Sequence, residues 1–215
     1  MRKRGTWRHP KKILFNCLLI VVMLVLLYIG DGLPALTKTA LVKDILRDNL
    51  MHEGELIWEE KDWQGYGKLY VLSGDTVVRA SCRRDVLSLG YSRWNSEILY
   101  GNDGVTCVPS CGTPGEFLVM GNLPEASSAV LELQIRKNRQ GETHRVYTME
   151  GLRDGEKVIS FTVAEIHEDD EKFFDSLRKT VYPEGYYNYT LWLYDTAGKE
   201  IGQWTDLPEK TEENP

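Results

Sequence analysis

Four aromatic residues, Trp58, Trp63, Tyr66 and Tyr70, fall within a stretch of 13 residues. Exposed aromatic rings stack on sugar rings or anchor a protein partner. Trp63 lies in Lys-Asp-Trp-Gln-Gly, a loop context, and reads as exposed. Trp58 lies in a strand pattern and reads as a core residue. Trp63, Tyr66 and Tyr70 are therefore the ligand-binding candidates. A second pair of chemical interest is Cys107 and Cys111, which flank Val-Pro-Ser. In an oxidising compartment these two are expected to pair, and Cys82 to stay a thiol. Cys82 shares a strand face with Val78 and Ala80, where a buried cysteine acts as a small hydrophobe. Closing a longer loop from Cys82 would be worth about 3.5 kcal/mol, against about 2 kcal/mol for the short one. The short pair is preferred because its chain must turn there anyway.

The residues for catalysis do not assemble in the sequence. His52, His144 and His167 form no HExxH and no helical pair, and C-x3-C lacks a second ligand pair for zinc. Ser92, in Gly-Tyr-Ser-Arg-Trp, lacks the second glycine of a nucleophile elbow. The glycines at 101 and 104 lack the lysine of a phosphate loop. Glu168-Asp169-Asp170-Glu171 fits no calcium loop and reads as a helix-capping turn. No pair of carboxylates stands out for glycoside hydrolysis. The expectation is no catalytic residue, no metal and no cofactor.

These residues hang from an 18-residue run, 13–30, with no charge and no proline. As a helix it spans roughly 27 Å, close to a hydrocarbon core of about 30 Å. A cleaved signal peptide has a shorter apolar region, about 7–15 residues, ending at a small-x-small site. Here the run is longer and Tyr-Ile-Gly-Asp-Gly is a poor cleavage site, so 13–30 reads as an uncleaved signal anchor. A minor pilin is disfavoured, since no cleavage glycine precedes a glutamate inside the run. Six of the 26 basic residues precede the run and all 32 acids follow it, leaving net charge −12 beyond it. Lys and Arg favour the cytoplasmic flank. Residues 1–12 are thus expected to be a cytoplasmic basic tail, with the C-terminal part outside the cell membrane. So acidic a region, without a basic run, excludes nucleic acid as a partner.

Outside the anchor, the periodicity predicts a small α+β domain over 36–115. Its helix, 39–51, is capped by Thr37 or Thr39 and ended by Gly54, with Leu41, Val42, Ile45, Leu46 and Leu50 on one face. Strands are predicted at 55–60, 68–73, 76–82 and 86–91, as an antiparallel meander with one covered side. Residues 107–115 read as an irregular loop. Over 116–207 the pattern predicts a β-sandwich with strands at 117–120, 130–136, 144–149, 158–163, 186–194 and 200–204. A crossover helix in it is capped by Asp169 or Asp170, carries Phe173, Phe174, Leu177 and Val181, and stops at Pro183. Residues 208–215 read as a short acidic disordered tail. The fold class is mainly β with an N-terminal transmembrane helix.

Tyr189, Leu191, Leu193, Asp195, Gly198 and Lys199 fall in a Tyr-x-Leu-x-Leu-x-Asp-x-x-Gly-Lys pattern. It resembles the final hairpin of immunoglobulin-like sandwiches. The layout looks like single-span extracytoplasmic bacterial proteins of unassigned function, a resemblance of fold that carries no reaction. The expected function is a membrane-anchored extracytoplasmic binding or assembly module without catalysis. Its expected partners are lipid through 13–30 and an unidentified protein or glycan outside the cell. The alternatives are a cell-envelope enzyme acting on glycans and a glycan-binding module on Trp63 and Tyr66.

Overall fold

The computed structural model describes residues 10–30, 35–62, 64–83, 90–101, 103–136, 143–153, 156–177, 179 and 187–206. Helix α1, Pro10–Gly30, starts with proline, whose missing N–H costs nothing at a helix start. Residues 11–29 have mean hydropathy 2.6, and none of the residues in the apolar window is buried. Leu14 and Phe15 are 72% and 62% exposed. A helix apolar on every side, with none of its apolar window buried among the described residues, is apolar and long enough to cross a membrane.

Helix α2, Lys38–Asp48, is capped by Thr37, whose Oγ1 accepts from the Ala40 N–H at 3.1 Å. It ends earlier than Gly54. Leu50 takes the left-handed conformation (φ +59°), so that Met51 N–H reaches Leu46 O at 2.8 Å and Leu50 N–H reaches Arg47 O at 3.1 Å. That pair of hydrogen bonds is the usual glycine-terminated helix stop, here with leucine in the glycine position. Leu50 consequently leaves the apolar face and is 90% exposed. Gly54 serves a different end: a Cβ there would lie 2.7 Å from Leu72 O and 2.8 Å from Leu46 Cδ2.

The first sheet has the order β1-β2-β3-β4, all antiparallel, from β1 (Glu55–Lys61), β2 (Gly67–Ser73), β3 (Thr76–Arg83) and β4 (Ser92–Leu99). Leu41, Ile45 and Leu46 of α2 pack on one face, against Leu69, Val71, Val78, Ala80 and Cys82. The meander was expected to have one covered side, but both are covered. On the other face Tyr70, Leu72, Val77 and Leu99 meet the second sheet. Strand 86–91 was expected from its apolar residues; 84–89 lie outside the described residues, and the fourth strand forms in the more polar stretch 92–99.

The second sheet runs β11-β10-β7-β8-β9-β6-β5. Its strands are β5 (Val105–Pro109), β6 (Glu116–Gly121), β7 (Ser128–Arg136), β8 (Thr143–Arg153), β9 (Val158–Thr162), β10 (Tyr187–Tyr194) and β11 (Glu200–Thr205). Phe117 on β6 and Tyr187 on β10 have ring centroids 5.8 Å apart. In a flat sheet, strands four places apart would stand about 19 Å apart. The sheet is therefore folded on itself, and strand β8 makes the fold: up to Glu150 it pairs with β7, and Gly151 to Arg153 pair with β9. At Gly151 a Cβ would meet Ile159 and Phe161 atoms at 2.6 Å. Between the two halves lie Phe117, Val119, Leu131, Leu133, Phe161, Leu191 and Leu193, all at most 0% exposed. This arrangement is compatible with a β-sandwich.

Strands β5, β6 and β9 form the middle layer and are covered on both sides. Phe117 and Val119 face the fold's interior, while Leu118 and Met120 face the first sheet. The loop expected at 107–115 is therefore partly strand. The division expected between 115 and 116 falls in the turn joining β5 to β6, two strands paired from Val105↔Gly121 to Pro109↔Phe117. A 3-10 turn, Glu168–Asp170, leads into α3, Glu171–Leu177, which buries Phe174 and Leu177. His167 caps that turn through Nδ1, which accepts from Asp169 N–H at 3.3 Å. Val181, Pro183 and the tail 208–215 lie outside the described residues.

Candidate functional site

The expected aromatic cluster divides into three unlike environments. Tyr70 is fully buried on β2. Its hydroxyl donates to Glu60 Oε1 at 2.5 Å, and burial followed by the Glu60 charge pushes its pKa up. Trp58 is half-buried against the contact between the sheets. Trp63 lies outside the described residues. Tyr66 stays near the surface, where its ring meets Trp94 with centroids 4.6 Å apart and planes at 58°. Arg83 lies over the same ring, 5.6 Å from its centroid, in cation–π range.

The chain before Tyr66 is held firmly. Asp62 Oδ1 accepts from the N–H groups of Gln64 and Tyr66, each at 2.9 Å. Asp62 N–H donates to Tyr66 O at 2.8 Å, and Gly65 supplies φ +82° for the turn. Lys68 Nζ lies 3.6 Å from Asp62 Oδ2 and donates to Ser81 Oγ at 2.7 Å. Trp94, which is 57% exposed, was not singled out by sequence reasoning. Ser81 pairs with Asn95 and Cys82 with Arg93, so Trp94 is the extra residue of a bulge. A bulge re-aims a side chain, and strand alternation cannot reveal one in advance.

Tyr70 belongs to a polar cluster where the first sheet meets the β5–β6 turn. Glu60 accepts from Tyr70, from Ser110 Oγ at 2.8 Å and from the Cys111 N–H at 3.2 Å. Arg79, 5% exposed, pairs through Nε with Glu97 Oε1 at 2.5 Å, and its Nη1 lies 3.8 Å from Cys111 Sγ. Burial works against the Arg79 charge, but the Tyr70, Glu97 and Cys111 groups outweigh it and keep the guanidinium protonated. The Ser110 hydroxyl is spent on a carboxylate and its residue is 3% exposed. With its donors and acceptors matched this way, the cluster ties four strands to one turn.

Cys107 and Cys111, the expected pair, are both free thiols in different surroundings. Cys107 belongs to the core within the folded sheet, whereas Cys111 faces Arg79 and Glu60. Burial raises the pKa of both, and of Cys82. A second ionisable cluster joins β8 to α3. Asp170, 3% exposed, has Arg145 Nε at 2.7 Å, the Tyr147 hydroxyl donating at 2.7 Å and His144 Nε2 at 3.5 Å. It holds the helix against the sheet. No group of three or more metal-ligating side chains occurs among the described residues.

The fold and these clusters define a mainly-β chain of two antiparallel sheets, headed by one helix apolar enough to span a membrane. No protein-family model, no curated protein and no solved structure matches it.

Proposed function

We propose that the protein is a membrane-anchored extracytoplasmic module that binds or assembles with a protein partner by strand addition, without catalysis. The basic flank of α1 supports an N-terminus in the cytoplasm, since Lys and Arg stay on that side. The last hairpin, β10–β11, supports an immunoglobulin-like reading of the folded sheet, which is a matter of architecture and brings no activity with it.

One observation carries the binding reading: the outer edge of β11. An unpaired edge presents a row of N–H and C=O groups to any second chain, and proteins blunt such edges with charge, proline or cover. Among the described residues, three of the four strands that end the two sheets are blunted. Strand β1 carries Glu55, Glu59, Glu60 and Lys61; β4 carries Arg93 and Glu97; β5 is buried along its length and ends in Pro109. The β11 sequence, Glu-Ile-Gly-Gln-Trp-Thr, has one acid at its start, no lysine and no proline. No strand among the described residues pairs with its outer side. Asp206 N–H points inward to Tyr189 O, so by alternation the Gln203 N–H points outward.

A photoreactive residue at Ile201, exposed on β11 two residues from Gln203, should crosslink one discrete protein partner on intact cells when placed in the full chain. Gln203→Pro, which removes an outward donor, should abolish that product without lowering the melting temperature. A product that survives Gln203→Pro, or no product, overturns strand addition at β11. A reporter active only outside the cytoplasm, fused after Pro215, checks the topology independently.

A further inference from the structure

The first residue described after α1 is Ala35, and it is pinned. Its N–H donates to Tyr91 O at 3.2 Å and its carbonyl accepts from Tyr91 N–H at 2.7 Å. This bridge requires a glycine beside it: a Cβ on Gly90 would lie 2.4 Å from Ala35 O. Five peptide steps separate Gly30, the last residue of α1, from Ala35. They span at most about 18 Å. The end of the first sheet that carries the bridge is therefore the end held nearest the bilayer, given that α1 spans it.

The strands show what that end carries. Strand β1 finishes there at Lys61, β2 begins at Gly67, β3 finishes at Arg83 and β4 begins at Ser92. On the face turned to the second sheet, Tyr70 and Arg79 are buried, Lys68 and Ser81 are half-buried, and Tyr66, Arg83 and the bulged Trp94 come last, nearest the tether. Trp94 lies three residues along the chain from Tyr91, roughly 10 Å at strand rise. Tryptophan and tyrosine concentrate at membrane–water interfaces because each ring has an apolar body and a polar tip, and arginine reaches headgroup phosphates.

We infer that Tyr66, Arg83 and Trp94 form an interfacial foot that rests in the headgroup layer of the membrane crossed by α1, fixing the orientation of the domain. Net charge −12 beyond the anchor speaks against attraction to an anionic surface, so the foot is held by aromatic insertion into zwitterionic lipid. The inference rests on the anchor reading and is independent of the β11 edge.

The test uses the full chain in phosphatidylcholine vesicles whose acyl chains carry bromine close to the headgroup. Vesicles are floated, and tryptophan emission is read only on floated protein. The chain has six tryptophans, so the Trp94 share is taken as the difference between the native protein and Trp94→Phe. That share should fall roughly twofold on bromination, as for a ring in the headgroup–acyl boundary. Equal melting temperatures in detergent establish that the variant is folded. Protein that floats with Trp94 emission unchanged by bromine overturns the foot and leaves the anchor standing. Protein that does not float overturns both. Trp94 emission altered by a soluble oligosaccharide, and not by bromolipid, makes the face a sugar site and overturns the lipid contact.

Discussion

The two interfaces that hold the second sheet are built from opposite chemistry. Inside its fold, Phe117, Phe161, Leu131, Leu191 and Phe174 make an apolar core in which Phe117 touches Phe174 and Tyr187 edge to face. Outside, where it meets the first sheet, an apolar patch of Leu72, Leu118 and Met120 runs into the charged cluster of Glu60, Arg79 and Glu97. Apolar burial is non-directional and gives stability. Buried charges give less net stability, because desolvation offsets their attraction, but they penalise any displaced arrangement. The contrast implies that the interior sets how stable the folded sheet is, and the polar cluster sets how the first sheet sits on it.

The largest effect expected from breaking this contrast is in the interior. Phe117→Ala should cost about 4 kcal/mol, read as a lowered denaturant midpoint, because the ring is fully buried and its neighbours belong to both halves of the sheet. If the cost is under about 1 kcal/mol, the two halves do not share one core.

At the polar cluster, Arg79→Met should cost about 3 kcal/mol, since it leaves Glu97 without its partner. Adding Glu97→Gln should recover part of that loss. The recovery separates this region from the first, where a second truncation only deepens the cavity. Two losses that simply add would mean that Arg79 matters by packing alone.

The outer end of α2 gives a smaller effect with the opposite sign. Leu50→Gly should stabilise the protein by roughly 0.5–1 kcal/mol, because leucine is held at φ +59° while fully open to solvent. A loss of stability would show that exposed Leu50 makes a contact worth more than its strain.

The contrast also explains what the sequence made legible. Strands with regular alternation, such as Leu131, Leu133 and Ile135 on β7, were readable because one face is buried and the other is not. Strand β5 was hidden because both its faces are covered, so Val-Thr-Cys-Val-Pro shows no alternation and its Pro-Gly-rich sequel reads as loop. Of the expected ligand-binding residues, Tyr66 remains at the surface and Tyr70 does not. Spacing along the chain cannot distinguish a ring at the sheet's end from one four residues further in, beneath a second sheet. Trp94 needed the bulge, and the Glu60–Ser110 bond joins residues 50 apart in sequence.

The smallest effect tests the thiols on either side of β5. Cys107 and Cys111 are four residues apart, yet one belongs to the apolar core and the other to the polar cluster. Their pairing would draw Cys107 out of the core it shares with Phe117 and Tyr189. In the folded protein Cys107 should resist an alkylating reagent until the protein unfolds, with Cys17, exposed on α1, reacting first once detergent replaces lipid. Mass mapping after timed labelling reads the order. The pH dependence has a definite sign. Burial raises the folded pKa of Cys107 well above its ordinary value, so on raising the pH the unfolded chain loses this proton first. The folded state then holds more protons than the unfolded one, and stability falls as pH rises through the ordinary thiol range and beyond. Cys107→Ala should flatten that alkaline decline, and Cys111→Ala, at the thiol whose rise the neighbouring Arg79 charge opposes, should flatten it less. Equal flattening by both, or a mapped Cys107–Cys111 disulfide in the folded protein, would mean that the two sides of β5 are not the separate environments described.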